Sequence, residues 1–165
     1  MLAAAMNQWE FLTFNINVHP DLESEWLRDG RDPRVMLRDR LRRELDRLVR
    51  PRLEHFFVIE GWSNRANAET HVHMHGGAAI YEPSDARLIE QAAARAAGHH
   101  MGRSSMHRAV HSKPFTRERA GYATYLFKNA RRADDRLPSR RLTMSRSAVG
   151  AARELWDTIT GKIDW

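Results

Sequence analysis

The sequence predicts an α+β fold, a mainly antiparallel sheet with helices packed on it. Short runs of aromatic and β-branched residues alternate with helical stripes of leucine and alanine. Two strand-like runs, His55 to Glu60 and His71 to Tyr81, flank a polar loop and read as a hairpin. No repeat or low-complexity linker divides the chain. Its 165 residues are therefore expected to form one domain (1–165) able to bury its own core.

Each element has a local reason. Trp9 to Val18 reads as a strand, because Phe14, Ile16 and Val18 alternate with Asn15 and Asn17 until His19-Pro20 ends the run. Pro33 to about Val49 is the clearest helix. Pro33 suits a first turn, Leu37, Leu41, Leu45, Leu48 and Val49 make one apolar stripe, and Pro51 stops it. Acids are interspersed among the arginines of its other face, so that face reads as solvated rather than DNA-reading. His55 to Glu60 (HFFVIE) is a nearly continuous apolar run, expected to be a buried strand. Residues 61–67 read as loop, and His71 to Tyr81 returns as the partner strand. Pro83-Ser84-Asp85 opens an alanine-rich helix to about Ala97, with Gly98 as its stop. Arg108 to Phe115 makes a short strand. Thr116 to Arg119 opens a helix carrying Tyr122, Tyr125 and Lys128. A charged loop over 131–140 precedes a last helix over about 147–160, with Ala152, Leu155, Trp156 and Ile159 on one face.

Composition narrows the chemistry. With no cysteine, disulfide scaffolds, Cys-zinc sites, Fe–S clusters and thiol catalysis are excluded. No run approaches the roughly 18 apolar residues of a membrane span, and the N-terminal residues lack a signal pattern. A cytoplasmic protein without membrane attachment is expected. The 27 basic residues outnumber 21 acidic ones for a net charge of +6, which favours a polyanionic partner, most simply nucleic acid. Only three of the basic residues are lysines.

Two constellations carry chemistry. In His71-Val72-His73-Met74-His75, alternate residues of a strand face one way, so three imidazoles share a face. Neighbours two apart lie about 6.5–7 Å from each other and can converge on one ion. Glu60, ending the preceding strand, can add a carboxylate oxygen across the hairpin. That donor set suits Mn²⁺ or Mg²⁺, with Zn²⁺ the less favoured ion. His19, His55, His99, His100, His107 and His111 lack such register and read as surface or packing residues. The second constellation is Tyr125-Leu126-Phe127-Lys128. Residues three apart on a helix are neighbours, and a lysine there can neutralise an anion that a phenol attacks. Tyr122 lies one turn earlier on the same side, so the spacing alone leaves the choice of phenol open.

In order and spacing these pieces resemble the HUH endonuclease superfamily, and most closely the rolling-circle replication initiators of plasmids, phages and small viruses. Phe11-Leu12-Thr13 resembles the first motif. His73-Met74-His75-Gly76 resembles the second, with His71-Val72-His73 as the other register. Tyr125 and Lys128 match the third, Tyr-x-x-Lys. The resemblance spans about residues 9 to 130. It implies an RRM/ferredoxin-like antiparallel sheet with the histidines on a central strand. It implies a tyrosine that attacks single-stranded or origin-hairpin DNA, becomes linked to the 5′ phosphate and frees a 3′ hydroxyl. It also implies a divalent metal held by His73, His75 and Glu60, with His71 as substitute. On this reading Tyr125 is the nucleophile, Lys128 assists it, and Thr13, Asn15, Arg117, Arg119, Arg131 and Arg132 contact DNA. No G-x-x-x-x-G-K-[ST] occurs, so a nuclease domain without a helicase is expected. The alternative is a non-catalytic nucleic-acid-binding regulator on the same fold.

Overall fold

The structure, a computed structural model, describes residues 9–63, 68–99, 110–115, 119–126, 128 and 134–159. Its strands are β1 (Glu10–Asn17), β2 (His55–Ser63), β3 (Ala68–Ile80), β4 (Val110–Pro114) and β5 (Leu142–Met144). Its helices are α1 (Pro20–Arg28), α2 (Pro33–Leu48), α3 (Asp85–Ala96), α4 (Arg119–Leu126) and α5 (Arg146–Ile159). The five strands form one antiparallel sheet in the order β4-β1-β3-β2-β5, which puts the histidine strand at the centre. Among the described residues no helix is long and apolar enough to cross a membrane.

Cross-strand partners share a face, so the register sorts the sheet. Leu12, Phe14 and Ile16 of β1, Val72 and Met74 of β3, and Phe57 and Ile59 of β2 point to one side. There α2 and α3 pack on each other, and α3 lies against β1, β3 and β4. The expected α2 stripe is buried at Leu37, Leu41 and Leu45. Its N-terminus is capped by Asp32, whose Oδ1 accepts from the backbone of Arg34 at 2.8 Å. Ala92, Ala93, Ala94 and Ala96 are fully buried, because small side chains let α3 approach closely. The opposite face carries Thr13 and Asn15, Glu60, His73 and His75, and His111 and Lys113.

Two elements differ from the sequence reading. Pro20 begins α1 instead of merely ending β1. The His19 Nδ1 accepts from the Asp21 amide at 3.3 Å, Asp21 and Glu23 occupy the first turn, and Trp26 is buried. A proline at the first helical position needs no N–H, so it serves both roles. β5 lies between the charged loop and the last helix, where the sequence pattern predicts no element. Three residues are too few to show alternation, and its strand character comes from pairing with the β2 edge.

β3 also sits unusually close to its neighbours at Gly76, just after His75. A Cβ there would press on the Phe56 carbonyl oxygen and lie 2.8 Å from the Phe14 ring. Only glycine lets β3 lie this close.

Candidate functional site

Glu60 on β2 stands directly opposite His73 on β3, and His75 follows two residues later on the same face. All three are buried, with Glu60 1%, His73 8% and His75 7% exposed. Glu60 Oε2 lies 3.6 Å from His73 Nε2 and 3.5 Å from His75 Nε2. The two imidazoles meet edge to face, 4.8 Å between centroids. One ligand atom from each residue lies within 4.8 Å of the other two, so the group can hold one metal ion.

The protonation chemistry agrees with that use. His73 Nδ1 donates to the His71 carbonyl at 3.1 Å, which leaves Nε2 as the lone-pair nitrogen facing Glu60. Burial pushes the His75 pKa below its usual value. Glu60 opposes that shift, while the neighbouring His73 and Lys128 add to it. His75 is thus a neutral imidazole at neutral pH. Its buried Nε2 has no hydrogen-bond partner, since 3.5 Å to Glu60 is too long for a good bond. An imidazole nitrogen left in this way beside a buried carboxylate fits a cation ligand set.

His71 does not join the group. Its Nδ1 pairs with Glu23 Oε2 of α1 at 2.9 Å, and its side chain is largely exposed. The open question of register is answered geometrically: His73 and His75 converge with Glu60.

The tyrosines of α4 lie on this same side of the sheet. The Tyr125 ring stands edge-on to the His75 ring, 6.2 Å between centroids, and stacks on Tyr122 at 6.1 Å. Lys128 Nζ lies 3.8 Å from the centre of the Tyr125 ring. The two phenols differ. Tyr125 is 47% exposed. Tyr122 packs on Phe115 and donates its hydroxyl to the Gly76 carbonyl at 3.4 Å. Burial, with the neighbouring Tyr125, pushes the Tyr122 pKa well above that of a free phenol.

Beside His75 opens a cleft of about 870 Å³, walled by β1, β4 and α4. Asn15 and Thr13 reach it from β1. Thr13 is 5% exposed and its Oγ1 donates to the Lys113 carbonyl at 3.0 Å, so its hydroxyl ties β1 to β4. Arg117, Arg131 and Arg132 lie outside the described residues, as does the Arg119 side chain. His111 and Lys113 also line the cleft. The sequence reading assigned His111 to surface or packing and gave Lys113 no role. Register is the reason they matter: His111 opposes Asn15, and Asn15 opposes His75. Three polar residues therefore form one row across about 10 Å of sheet. Their alternation on β4 was legible, but their strand partner was not.

Comparison of the chain with protein-family models, with curated proteins and with solved structures finds no match.

Proposed function

We propose that this protein is a metal-dependent single-stranded DNA nicking and joining enzyme, built on the RRM-like sheet of the HUH endonuclease superfamily and acting as rolling-circle initiators do. One observation carries the reading. An exposed phenol with a lysine ammonium against its ring stands beside a buried His-His-Glu group shared by the central strand and its neighbour β2.

His73, His75 and Glu60 hold the ion, Mn²⁺ or Mg²⁺ ahead of Zn²⁺. When bound, it supplies Lewis-acid polarisation of a phosphoryl oxygen. Tyr125 Oη attacks the phosphorus of a phosphodiester. The Oη–P bond forms and the P–O3′ bond breaks. The electron pair leaves on O3′, which takes a proton from water, and the phenolic proton goes to solvent. The phosphotyrosine keeps a diester-like bond, so a later 3′ hydroxyl can reverse the step and join strands. Lys128 offsets the charge that develops at the phosphoryl group. The strand leads away through the cleft past Asn15, His111 and Lys113, in keeping with the net charge of +6. Tyr122 is partly buried against Phe115 and bonded to β3, and its ring stacks on that of Tyr125.

The test is a pool of 3′-labelled random single strands incubated with Mn²⁺ and run on a denaturing gel. A covalent protein–DNA band is expected from wild type and from Tyr122→Phe, and none from Tyr125→Phe or in chelator. A band that survives Tyr125→Phe, or one that never forms, overturns the reading. Salt-sensitive DNA binding indifferent to chelator and to Tyr125→Phe would identify a non-catalytic binding protein instead.

A further inference from the structure

We infer that Arg136 is a positioning residue for the metal-ligand group, acting through an irregularity in the β2–β3 ladder. The inference rests on the metal-holding reading of Glu60, His73 and His75, and it does not depend on DNA chemistry.

The register breaks directly beside the site. Glu60 opposes His73, but Trp62 opposes Glu69. One residue of β2, Gly61, therefore faces three of β3: Thr70, His71 and Val72. Such a bulge interrupts the ladder and re-aims side chains. A guanidinium fills the interruption. Arg136 Nη2 donates to the Gly61 carbonyl and Nη1 to the Thr70 carbonyl, both at 2.9 Å. It therefore grips both strands where their own pairing lapses.

The guanidinium is itself held. Asp134 takes a two-point contact, Nε to Oδ1 at 2.9 Å and Nη2 to Oδ2 at 2.8 Å. Glu23 Oε1 accepts from Nη1 at 3.4 Å. Arg136 is only 25% exposed, and the Asp134 contact raises its pKa. Burial tends to raise the Asp134 pKa, but the side-chain and backbone bonds from Arg136 outweigh it and leave that carboxyl below its usual value. Gly61 leaves room for the clamp, because a Cβ there would run into Asp134 Oδ2 and Arg136 Nη2.

The grip reaches two ligands. Gly61 follows Glu60, so fixing its carbonyl fixes the backbone that aims the carboxylate. His71 lies inside the bulge, and its carbonyl accepts from His73 Nδ1. That bond sets which His73 nitrogen keeps its lone pair. The His71 ring closes the loop by pairing with Glu23, which also contacts Arg136. Outer groups of this kind fix the tautomer and orientation of metal-binding histidines.

The experiment compares wild type with Arg136→Gln, Arg136→Lys and Asp134→Asn in the full chain. Mn²⁺ affinity is measured by calorimetry, and the His73 ring N–H by ¹⁵N-imidazole spectroscopy without metal. Arg136→Gln is expected to weaken Mn²⁺ binding by about 10- to 100-fold and Asp134→Asn by less. Arg136→Lys should not rescue it, since an ammonium lacks the planar fork that joins two carbonyls and two carboxylates. The His73 Nδ1–H signal should shift or vanish in Arg136→Gln. A residue that only braces the fold would lower the melting temperature and leave that signal in place. A folded Arg136→Gln with wild-type affinity and an unchanged His73 signal overturns the inference. If Arg136→Gln does not fold, Asp134→Asn decides on the same two readouts. If wild type takes up no Mn²⁺, the nuclease reading falls, and the imidazole spectrum alone decides whether Arg136 positions His73.

Discussion

The Glu60-His73-His75 group, which could hold a metal ion, meets the tyrosine helix at one cleft through His75, yet the two are held in different ways. Glu60, His73 and His75 are buried in the centre of a five-stranded sheet, on strands paired along most of their length. Tyr125 rides on an eight-residue helix and is half exposed, touching the ligand group by one ring edge. The ligand side is rigid by construction. The phenol side is attached through Tyr122, its ring neighbours and Lys128. A ligand set needs preorganised geometry, whereas a nucleophile that must admit a polymer to its own reaction partner needs an open approach.

Removing the proposed nucleophile should give the largest effect. Tyr125→Phe is expected to abolish the covalent band while changing stability by no more than about 0.5 kcal/mol, since the lost hydroxyl sits on a half-exposed side chain. DNA affinity should stay within twofold of wild type by fluorescence anisotropy. Unfolding of Tyr125→Phe, or a large loss of binding, would mean that α4 is part of the rigid half and erase the contrast.

Metal loading should come next and act only on the rigid half. At about 100 times the dissociation constant a ligand adds roughly 2.7 kcal/mol to the folded state. For a domain of this size that raises Tm by about 5–10 °C. Mn²⁺ should raise the wild-type Tm by that amount and leave Glu60→Gln unmoved, as read by scanning calorimetry. An equal rise in both proteins would place the ion somewhere other than the sheet centre.

How much of this was legible follows the same division. The β3 histidines, Glu60 and the α2 stripe announce themselves because strand and helix periods fix which residues share a face. The antiparallel sheet and α3 were legible for the same reason. What stayed hidden depends on pairing between distant strands. Nothing local says that His111 stands across from Asn15, or that Arg136 fills a gap between β2 and β3. His71, first in an apparent row of three, lies where the β2–β3 register breaks and pairs with Glu23 instead. The lysine three residues on favours Tyr125 over Tyr122 in the sequence; that Tyr122 is the less exposed of the two phenols is a property of the folded chain.

Gly76→Ala sharpens the comparison at the point where the halves touch. The added methyl would press on the Phe56 carbonyl and the Phe14 ring, and backbone in a central strand cannot move aside cheaply. A loss of about 1–3 kcal/mol is expected, read by urea denaturation. The Gly76 carbonyl also holds the Tyr122 hydroxyl, so the covalent band should weaken together with metal affinity. A variant as stable as wild type would show that β3 has slack.

The smallest expected effect is a pH slope, and it belongs to the rigid half alone. His55 is 5% exposed on β2, and its Nδ1 donates to the Leu53 carbonyl at 2.8 Å. Burial lowers its pKa, partly opposed by that carbonyl, Asp46 and Glu54 and aided by Arg42. Above the ordinary histidine value of 6.5 both folded and unfolded chains keep this ring neutral, and stability is at its full value. As pH falls below that value the unfolded chain takes up a proton that the folded chain refuses. Stability then drops by up to about 1.4 kcal/mol per pH unit until the folded pKa is reached. Urea denaturation at pH 7.5 and pH 5.5 should show this loss, and His55→Leu should remove one proton's worth of the slope at the cost of the Leu53 hydrogen bond at both pH values. His75 adds a similar slope, and a bound metal ion would keep its ring unprotonated to still lower pH, so it is the difference between wild type and His55→Leu that isolates the His55 contribution. Parallel pH dependences for wild type and His55→Leu would mean that β2 opens to water at that end, and that the sheet is less rigid there than around Glu60.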